Sequence, residues 1–179
     1  MSSNSTRLSG EVLLRPMQDA DLAAVRQIDA LVYRDLWSPE FVIRQLCDPS
    51  RWVHLVAERD GRILGHGAFT IAAGEAHITP VAVAVKEQGR GVRRRLVAAL
   101  CREAVRRELE AMTLEVRVSN CRAVDLYRRF GFAPTGVRPA YYSPSHGSSE
   151  REDGLVMGAH DIGESAFMER VCAAEIEGK

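Results

Sequence analysis

The chain has 179 residues, which is enough for one domain with a sizeable hydrophobic core. Its 24 acidic and 24 basic side chains cancel, so no overall charge favours a nucleic acid or a membrane surface as partner. Apolar runs all fall short of the roughly 20 residues that a membrane-spanning helix needs. The four cysteines form no CxxC pair, as is typical of free thiols in the cytoplasm, and the five histidines lack metal-ligand spacing. We therefore expect a cytoplasmic protein that binds no metal, membrane or nucleic acid.

The first half of the chain predicts a strand, two helices and an antiparallel meander of strands. Apolar residues recur at helical spacing after Asp19 and Asp21, either of which can cap the first helix. Ser38 precedes Pro39, and these residue types favour the N-cap and the first position of a second helix. The dipeptide Asp60-Gly61 between two β-branched runs predicts a hairpin. The predicted ranges are a strand at 11–17, helices at 22–32 and 38–47, and strands at 52–58, 62–71 and 76–85.

Three histidines fall on or beside these meander strands. Each of them, His54, His66 and His77, is interpreted as a packed or exposed strand residue rather than a catalytic one. Trp37 lies at the joint between the two helices. It has two open interpretations, a core aromatic that closes the helix pair and a residue that lines a substrate site.

A glycine turn followed by a basic helix, at residues 80–107, is the most informative stretch of the sequence. Gly89 and Gly91 allow a sharp turn and a close approach of the backbone to a ligand. The helix expected over 91–110 directs free N–H groups and the positive end of its dipole at that turn, which favours an anion such as a phosphate. An ordinary strand-to-helix connection with a solvated basic face explains the pattern equally well. The arginines of this stretch are Arg90, Arg93, Arg94, Arg95, Arg102, Arg106 and Arg107.

The remaining sequence predicts a crossover strand, a helix and a final hairpin. A run that alternates cleanly between apolar and polar residues follows the basic helix, and this strand–helix–strand order indicates a parallel crossover. Asn120 is placed to cap the next helix, and Gly131 to end it. The expected strands lie at 112–119, 132–138 and 154–159, with a polar loop at 139–153. The chain divides into a flexible tail at 1–10, one domain at 11–160, and a segment at 161–179 that is either a short helix or disordered.

Several motifs in this order resemble those of the GNAT N-acetyltransferases. The glycine turn resembles the pyrophosphate loop of that family, Q/R-x-x-G-x-G/A, and over roughly residues 13–159 the chain resembles the RimI branch, the protein N-terminal alanine acetyltransferases. The resemblance implies an α/β GNAT fold with a mixed, mostly antiparallel central sheet, helices on both faces, and acetyl-CoA as cofactor. The matching segments are Gln88-Gly89-Arg90-Gly91-Val92, Leu114-Glu115-Val116-Arg117-Val118-Ser119-Asn120, Leu126-Tyr127 and Phe130-Gly131-Phe132, with Trp37-Ser38, Arg138-x-x-Tyr141-Tyr142 and Arg151-Glu152-Asp153 for the branch.

The resemblance assigns the general base to Glu115. Acetyl transfer to an α-amine requires loss of a proton, because that amine has a pKa of about 8 and is largely protonated at neutral pH. A carboxylate near the end of a strand suits this role, which typically contributes about 10²–10⁴-fold. From strand alternation alone, Glu115 is better interpreted as a half-exposed surface residue, for example one paired with Arg117.

The resemblance likewise assigns the general acid to Tyr127 and an acetyl-CoA contact to Asn120. They are seven residues apart in the sequence, about two helical turns, which is compatible with one face of a helix. A tyrosine hydroxyl there can donate a proton to the departing thiolate. Without the resemblance, burial in the core is the commoner fate of such a tyrosine, and a plain helix cap accounts for Asn120.

The remaining site residues also follow from the resemblance. The pantetheine amides would pair with strand backbone near Val83, and a backbone N–H near that residue is the expected oxyanion donor. Trp37, Tyr141 and Tyr142 are candidates for the wall of the groove that receives the acceptor peptide, with packing aromatics as the alternative. The expected cofactor contacts are Val81, Ala82, Val83, Gln88, Gly89, Arg90, Gly91, Val92, Arg93, Arg94 and Asn120.

Arg93 departs from the family's loop, which has glycine or alanine at that place. A bulky side chain near the phosphates can crowd the ligand, lean away from it, or add a favourable charge. The sequence therefore leaves three functions open. These are acetylation of a protein N-terminus, such as that of a ribosomal protein beginning with alanine; acetylation of a small-molecule amine or a lysine side chain; and binding of acyl-CoA without catalysis.

Overall fold

The computed structural model describes residues 10–32, 37–144 and 149–176, so most of the predicted tail at 1–10 lies outside it. The strands are β1 (Leu13–Pro16), β2 (Trp52–Arg59), β3 (Arg62–Ala72), β4 (Glu75–Val83), β5 (Ala111–Arg117), β6 (Ala133–Tyr142) and β7 (Glu152–His160). The α-helices are α1 (Leu22–Val32), α2 (Pro39–Leu46), α3 (Val92–Arg106), α4 (Cys121–Arg129) and α5 (Ser165–Ile176).

One mixed sheet organises these elements. Its seven strands, counted within the described ranges, lie in the order β1-β2-β3-β4-β5-β7-β6. Neighbouring strands are antiparallel except for β4 and β5, which are parallel and are joined by the crossover helix α3. This arrangement confirms the expected α/β fold with a mixed, mostly antiparallel sheet.

The two faces of the sheet carry cores of different size. Alternate residues of the central strands, among them Ile78, Leu114 and Met157, are buried in a large core that also contains residues of α3, α4 and α5. On the opposite face, Val56 of β2 packs with Val25 of α1 and with Met17 in a smaller core. Helices therefore cover both faces, as expected. None of the described helices is long and apolar enough to cross a membrane.

Side-chain caps begin two helices at the residues that the sequence indicated. Ser38 Oγ accepts a hydrogen bond from the N–H of Phe41 at 3.2 Å at the start of α2. Asn120 Oδ1 accepts one from the N–H of Ala123, also at 3.2 Å, at the start of α4. Each bond satisfies an N–H group that the first helical turn leaves without an intrahelical partner.

Several element boundaries differ from those predicted. The basic helix α3 ends at Arg106 instead of residue 110, because Glu108 adopts a positive φ of 58° and the chain turns there. The chain enters α1 through a short 3-10 turn whose N-cap is Gln18, so neither Asp19 nor Asp21 is the cap. Asp21 instead accepts the backbone N–H of Gln18 at 2.8 Å.

The final hairpin is longer than predicted, because the expected loop at 139–153 contains the ends of both strands. The guanidinium of Arg151 donates to the carbonyls of Ala140 and Tyr141 at 2.7 and 2.8 Å. The N–H of Ala140 donates to the carboxylate of Asp153 at 2.8 Å. These bonds hold the two strands together near the tip. Beyond the hairpin, the C-terminal segment is helical over α5 and packs against α3 and α4.

A gap between β4 and β5 is the feature of the fold that positions the site. The two strands pair only as far as Ile78 and Leu114. Beyond that pair, β4 continues beside β3 and β5 continues beside β7. A β-bulge lies just past Ile78, where β4 has one residue more than β3 before Val81 pairs with Gly67. We call the opening between β4 and β5 the split.

Candidate active site

Glu115 lies at the closed end of the split, one residue past the last pair of β4 and β5. Its neighbours Leu114 and Val116 are buried in the large core, so strand alternation places its carboxylate on the opposite face of the sheet. The carboxylate is shielded from solvent, with 6% of the side chain exposed. Its Oε2 lies 2.9 Å from His77 Nε2, and its Oε1 accepts a hydrogen bond from Arg138 Nε at 2.7 Å. Glu115 is therefore a buried, oriented carboxylate rather than a half-exposed surface residue.

Arg117 is paired elsewhere, so its suggested pairing with Glu115 is wrong. Its guanidinium donates to the carboxylate of Glu152 at 3.0 Å and to the carbonyl of Ser143 at 2.9 Å. It also lies over the ring of Tyr142, 4.6 Å from the ring centroid. These contacts connect the end of β5 to the hairpin of β6 and β7, beside Glu115.

The tyrosine pair of β6 lies next to the carboxylate. The rings of Tyr141 and Tyr142 meet edge to face with centroids 5.0 Å apart. Burial raises the pKa of both hydroxyls, and the negative charge of Glu115 raises each pKa further. Tyr127 adds a smaller contribution to the raised pKa of Tyr142. The structure therefore brings Tyr142 within electrostatic reach of both predicted catalytic residues.

Tyr127 lies in the large core, on the face of the sheet opposite to the Glu115 carboxylate. α4 presents its ring to Phe132, with centroids 5.8 Å apart, and 7% of the residue is exposed. Burial raises the pKa of its hydroxyl, and the guanidinium of Arg93 opposes that shift. A hydroxyl in this environment stays protonated at neutral pH, which is the state that a general acid requires.

The loop between β4 and α3 has the backbone geometry of an anion site. Gly89 and Gly91 adopt φ values of 76° and 79°, in the left-handed region that glycine tolerates. Gly91 is the N-cap of α3, so the N–H groups of the first helical turn point into the loop. Gln88 Nε2 donates to the carbonyl of Val83 at 3.1 Å and ties the loop to β4. This backbone fits a phosphate-bearing group.

The side chains of this loop differ in how they can contribute. Arg90 is exposed and pairs with Glu87 at 3.4 Å. Val92 is only 2% exposed, so it can offer a ligand only its backbone. Arg93 and Arg94 are half-buried in the first turn of α3. Their guanidinium groups complete a positive environment at the helix N-terminus.

The edge of β4 that faces the split offers backbone groups to a ligand. The N–H of Ala84 donates to the carbonyl of Leu64 on β3 at 2.9 Å. Successive residues of a strand direct their backbone groups to opposite edges, so the N–H of Val83 faces the split. The side chains of Val81, Ala82 and Val83 are buried in the protein. The backbone of this segment can thus bind a ligand in the split, while its side chains pack inside the protein.

Two of the predicted site residues have clear structural roles. Asn120 is exposed and caps α4, which is the alternative that the sequence offered for it. Among the described residues, the ring contacts of Trp37 are with Phe41 at 5.4 Å and Trp52 at 6.2 Å. Trp37 therefore belongs to an aromatic cluster of α2 and β2, and these contacts do not join it to the tyrosine pair of β6. It remains 39% exposed and accessible to a ligand.

The sequence did not identify His77 as a partner of Glu115. His77 lies directly across from Thr113 in the parallel ladder, and its ring reaches Glu115 two residues further along β5. This contact depends on the register of β4 against β5, which local periodicity does not reveal. Arg138 was part of a matching motif, but its bond to Glu115 depends on the similarly nonlocal register of β6, β7 and β5.

The fold and the split with its anion loop are those of an acetyltransferase. Residues 22–132 match the model of the acetyltransferase (GNAT) family, and the chain belongs to that family. It is accordingly an enzyme that uses acetyl-CoA, as the sequence resemblance implied. The crystal structure of the ribosomal-protein-S18-alanine N-acetyltransferase from Escherichia coli superposes with a TM-score of 0.75 at 25% identity, over 84% of this chain and 94% of the other.

Within the family, the chain is similar to RimI-type enzymes. It is 31% identical to a putative ribosomal protein bS18-alanine N-acetyltransferase of Bacillus subtilis over 147 residues, covering 80% of this chain and 92% of the relative. It is 33% identical to the N-alpha-acetyltransferase RimI of Mycobacterium tuberculosis over 132 residues, covering 71% of this chain and 80% of the relative. These similarities confirm the resemblance to the RimI branch.

Proposed function

We propose that the protein is an acetyl-CoA-dependent N-alpha-acetyltransferase of protein N-termini, with Glu115 as general base and Tyr127 as general acid. The observation that carries the proposal is a buried, oriented carboxylate at the closed end of the split. The buried tyrosine lies on the opposite face of the sheet, so the two groups are suited to act on opposite sides of a reacting centre in the split. The names of the similar enzymes support the substrate class.

Glu115 removes a proton from the α-ammonium group of the acceptor, directly or through a water molecule. This step is needed because an α-amine, with a pKa of about 8, is largely protonated at neutral pH. Each oxygen of Glu115 already accepts one hydrogen bond and keeps capacity for another. Arg138, which holds Oε1 of Glu115, lies over the ring of Tyr141 at 5.8 Å from the ring centroid, so the hairpin of β6 and β7 helps to orient the carboxylate.

When bound, acetyl-CoA supplies the thioester whose acetyl group is transferred. The backbone from Gly89 to Arg94 would hold its pyrophosphate at the N-terminus of α3. The N–H of Val83 faces the split and would supply a hydrogen bond to the thioester carbonyl oxygen. Tyr127 keeps its hydroxyl protonated and would supply the proton for the sulfur. Asn120 contributes a further polar contact at the start of α4.

The acceptor is the N-terminus of a protein, such as a ribosomal protein that begins with alanine, in the cytoplasm. Trp37, Tyr141 and Tyr142 provide exposed or half-buried aromatic surface for its first residues. We would measure acetylation by mass after incubation with acetyl-CoA and peptides that differ in their first residues, each with a free or a blocked N-terminus. We expect product only on free N-termini. Acetylation of lysine side chains or polyamines alone would refute the proposed acceptor, and absence of acetyl-CoA binding would favour a non-catalytic module.

The proposed chemistry predicts the behaviour of two conservative variants. Glu115→Gln keeps the shape but removes the base, and Tyr127→Phe keeps the ring but removes the proton. Each should lower kcat by about 10²-fold or more, with unchanged far-UV circular dichroism. The matched control is Glu87→Gln, which alters a carboxylate near the anion loop but outside the split. Full activity of both site variants would show that these residues do not carry the reaction.

A further inference from the structure

His77 makes two hydrogen-bonding contacts on the face of the sheet that carries Glu115. Its Nε2 lies 2.9 Å from Oε2 of Glu115, and its Nδ1 lies 2.9 Å from the hydroxyl oxygen of Thr113. Thr113 and Glu115 are alternate residues of β5, so both point to the same face. The imidazole therefore bridges two side chains of the neighbouring strand with both of its nitrogens.

The contacts define how the ring is protonated when it is neutral. A carboxylate only accepts hydrogen bonds, so the ring nitrogen next to Glu115 must carry the hydrogen. The other nitrogen, Nδ1, then accepts the hydroxyl hydrogen of Thr113. Glu115 thereby determines the tautomer, His77 donates from Nε2 to Glu115, and the Thr113 hydroxyl holds the opposite side of the ring.

Arg138 alone leaves the orientation of the carboxylate weakly determined. The Arg138 side chain is 57% exposed, and it holds only Oε1 of Glu115. The His77 side chain is 35% exposed, and its position is set by its place in β4 and by Thr113. The second oxygen of Glu115 is thus held by the more rigidly placed of the two donors.

We propose that His77 is a positioning residue for the general base, and that the chain Thr113–His77–Glu115 keeps the carboxylate turned toward the acceptor amine. His77 acts through Glu115 and itself transfers no proton. This inference rests on the proposed function, since it requires Glu115 to be the base. It adds to that function a residue on β4 and one on β5 that determine how well the base is oriented.

Two substitutions of His77 separate its two contacts. The amide nitrogen of a glutamine can take the place of Nε2, so His77→Gln keeps a donor for Glu115. An asparagine is shorter and its amide occupies only the place of Nδ1, so His77→Asn keeps the contact with Thr113 and loses the contact with Glu115.

We expect His77→Asn to lower kcat about 10- to 100-fold at an unchanged KM for acetyl-CoA, because misplacement of a catalytic group by about 1 Å lowers the rate on this order. His77→Gln should recover most of that loss.

A double-variant cycle with Glu115→Gln distinguishes failure of this inference from failure of the proposed function. If Glu115→Gln lowers kcat to a measurable residual rate and His77→Asn causes no further loss in that background, His77 acts through the base. If Glu115→Gln is inactive but His77→Asn alone has wild-type kcat, the inference is wrong and the proposed base stands. If Glu115→Gln is fully active, the proposed base itself is wrong. Thermal unfolding of each variant checks that the compared proteins are folded. Equal losses of kcat in His77→Gln and His77→Asn would contradict positioning through Nε2.

Discussion

His54 on β2 is a half-buried histidine that the fold keeps neutral at neutral pH. Its Nε2 is buried without a hydrogen-bond partner among the described residues, and its ring stacks on that of Trp52. On the neighbouring strand, His66 Nε2 lies 2.7 Å from the carboxylate of Asp29 in α1. Burial, with a smaller contribution from His66, lowers the pKa of His54 from 6.5 to about 4. Protonation of His54 therefore favours the unfolded chain.

This pKa shift predicts a loss of stability on the acidic side of neutrality. In the unfolded chain His54 gains its proton as the pH falls through 6.5, whereas in the folded chain it does so only near 4. Between about pH 7.5 and pH 5, that difference costs about 2 kcal/mol of the free energy of unfolding. We expect urea denaturation of the wild type to show a lower free energy of unfolding at pH 5 than at pH 7.5. In His54→Phe the decrease between these pH values should be smaller by about 2 kcal/mol.

The comparison of the wild type with His54→Phe isolates the effect of His54 on stability, because both chains share every other carboxylate and histidine. Phenylalanine keeps an aromatic ring beside Trp52 and removes the buried nitrogen that lacks a partner. Identical pH dependence in the wild type and His54→Phe would contradict the inferred shift in pKa.

For individual residues, local motifs in the sequence predicted candidate site residues. They did not predict the contacts that these residues make with side chains of distant strands. Glu115 and Tyr127 were predicted as catalytic from the family resemblance, whose motif lies within a single strand–turn–helix segment. His77 was interpreted as an ordinary strand residue, because its contact with Glu115 exists only once β4 and β5 pair in one particular register.

Among the elements, the loop before α3 and the first turn of that helix combine left-handed glycines with arginine side chains. The left-handed Gly89 and Gly91 and the N–H groups of the first helical turn are the backbone elements of the proposed phosphate site. Arg93 adds a positive charge in the first helical turn, and its charge lowers the pKa of the buried Tyr127 against the larger effect of burial. Arg93 is half-buried in this first turn.

This placement predicts that Arg93 strengthens the binding of acetyl-CoA. Arg93→Ala should weaken binding by about 3- to 10-fold, roughly 1 kcal/mol, because it removes one half-buried charge close to the helix N-terminus. Arg93→Lys is the matched control and should retain most of the affinity. Titration calorimetry at low and high salt measures the affinity of each variant for acetyl-CoA. The difference in affinity between the wild type and Arg93→Ala should shrink as the salt concentration rises. Tighter binding by Arg93→Ala would instead mean that the arginine crowds the phosphates.

Element starts were more predictable than element ends. Ser38 and Asn120 were recognised as caps because their side chains bond to N–H groups three residues away, an interaction within the local sequence. The end of α3 was placed too late because Glu108, a non-glycine residue, takes the left-handed conformation that usually marks glycine. The length of the last hairpin depends on Arg151, whose bonds to the opposite strand have no local signature.

For the whole molecule, the sheet separates the two proposed catalytic groups. The large core on one face holds Tyr127, while Glu115 points to the face on which α1 and α2 build the smaller core. The split between β4 and β5 is an opening in the described sheet through which a reacting centre would reach both faces. The architecture thus explains why the parallel pair, the sole one in the described sheet, is the place where the chemistry is expected.

α5 completes the large core although it lies beyond the region of resemblance to the RimI branch, which ends near residue 159. Phe167, Val171 and Ala174 are at most 2% exposed, and the helix packs against α3 and α4. Arg102 of α3 forms an ion pair with Glu175 of α5. The helix therefore supports α3 through core packing and an ion pair.

We accordingly expect α5 to contribute to the stability of the whole domain rather than to form an independent tail. Phe167→Ala should lower the free energy of unfolding by about 3–5 kcal/mol, because it leaves a cavity in the core. Glu169→Ala, on the exposed side of the same helix, should change it by about 0.5 kcal/mol or less. Urea denaturation followed by circular dichroism would measure both, with one cooperative transition expected in each. A near-neutral Phe167→Ala, or a separate early transition for α5, would show that the helix is not part of the cooperative domain.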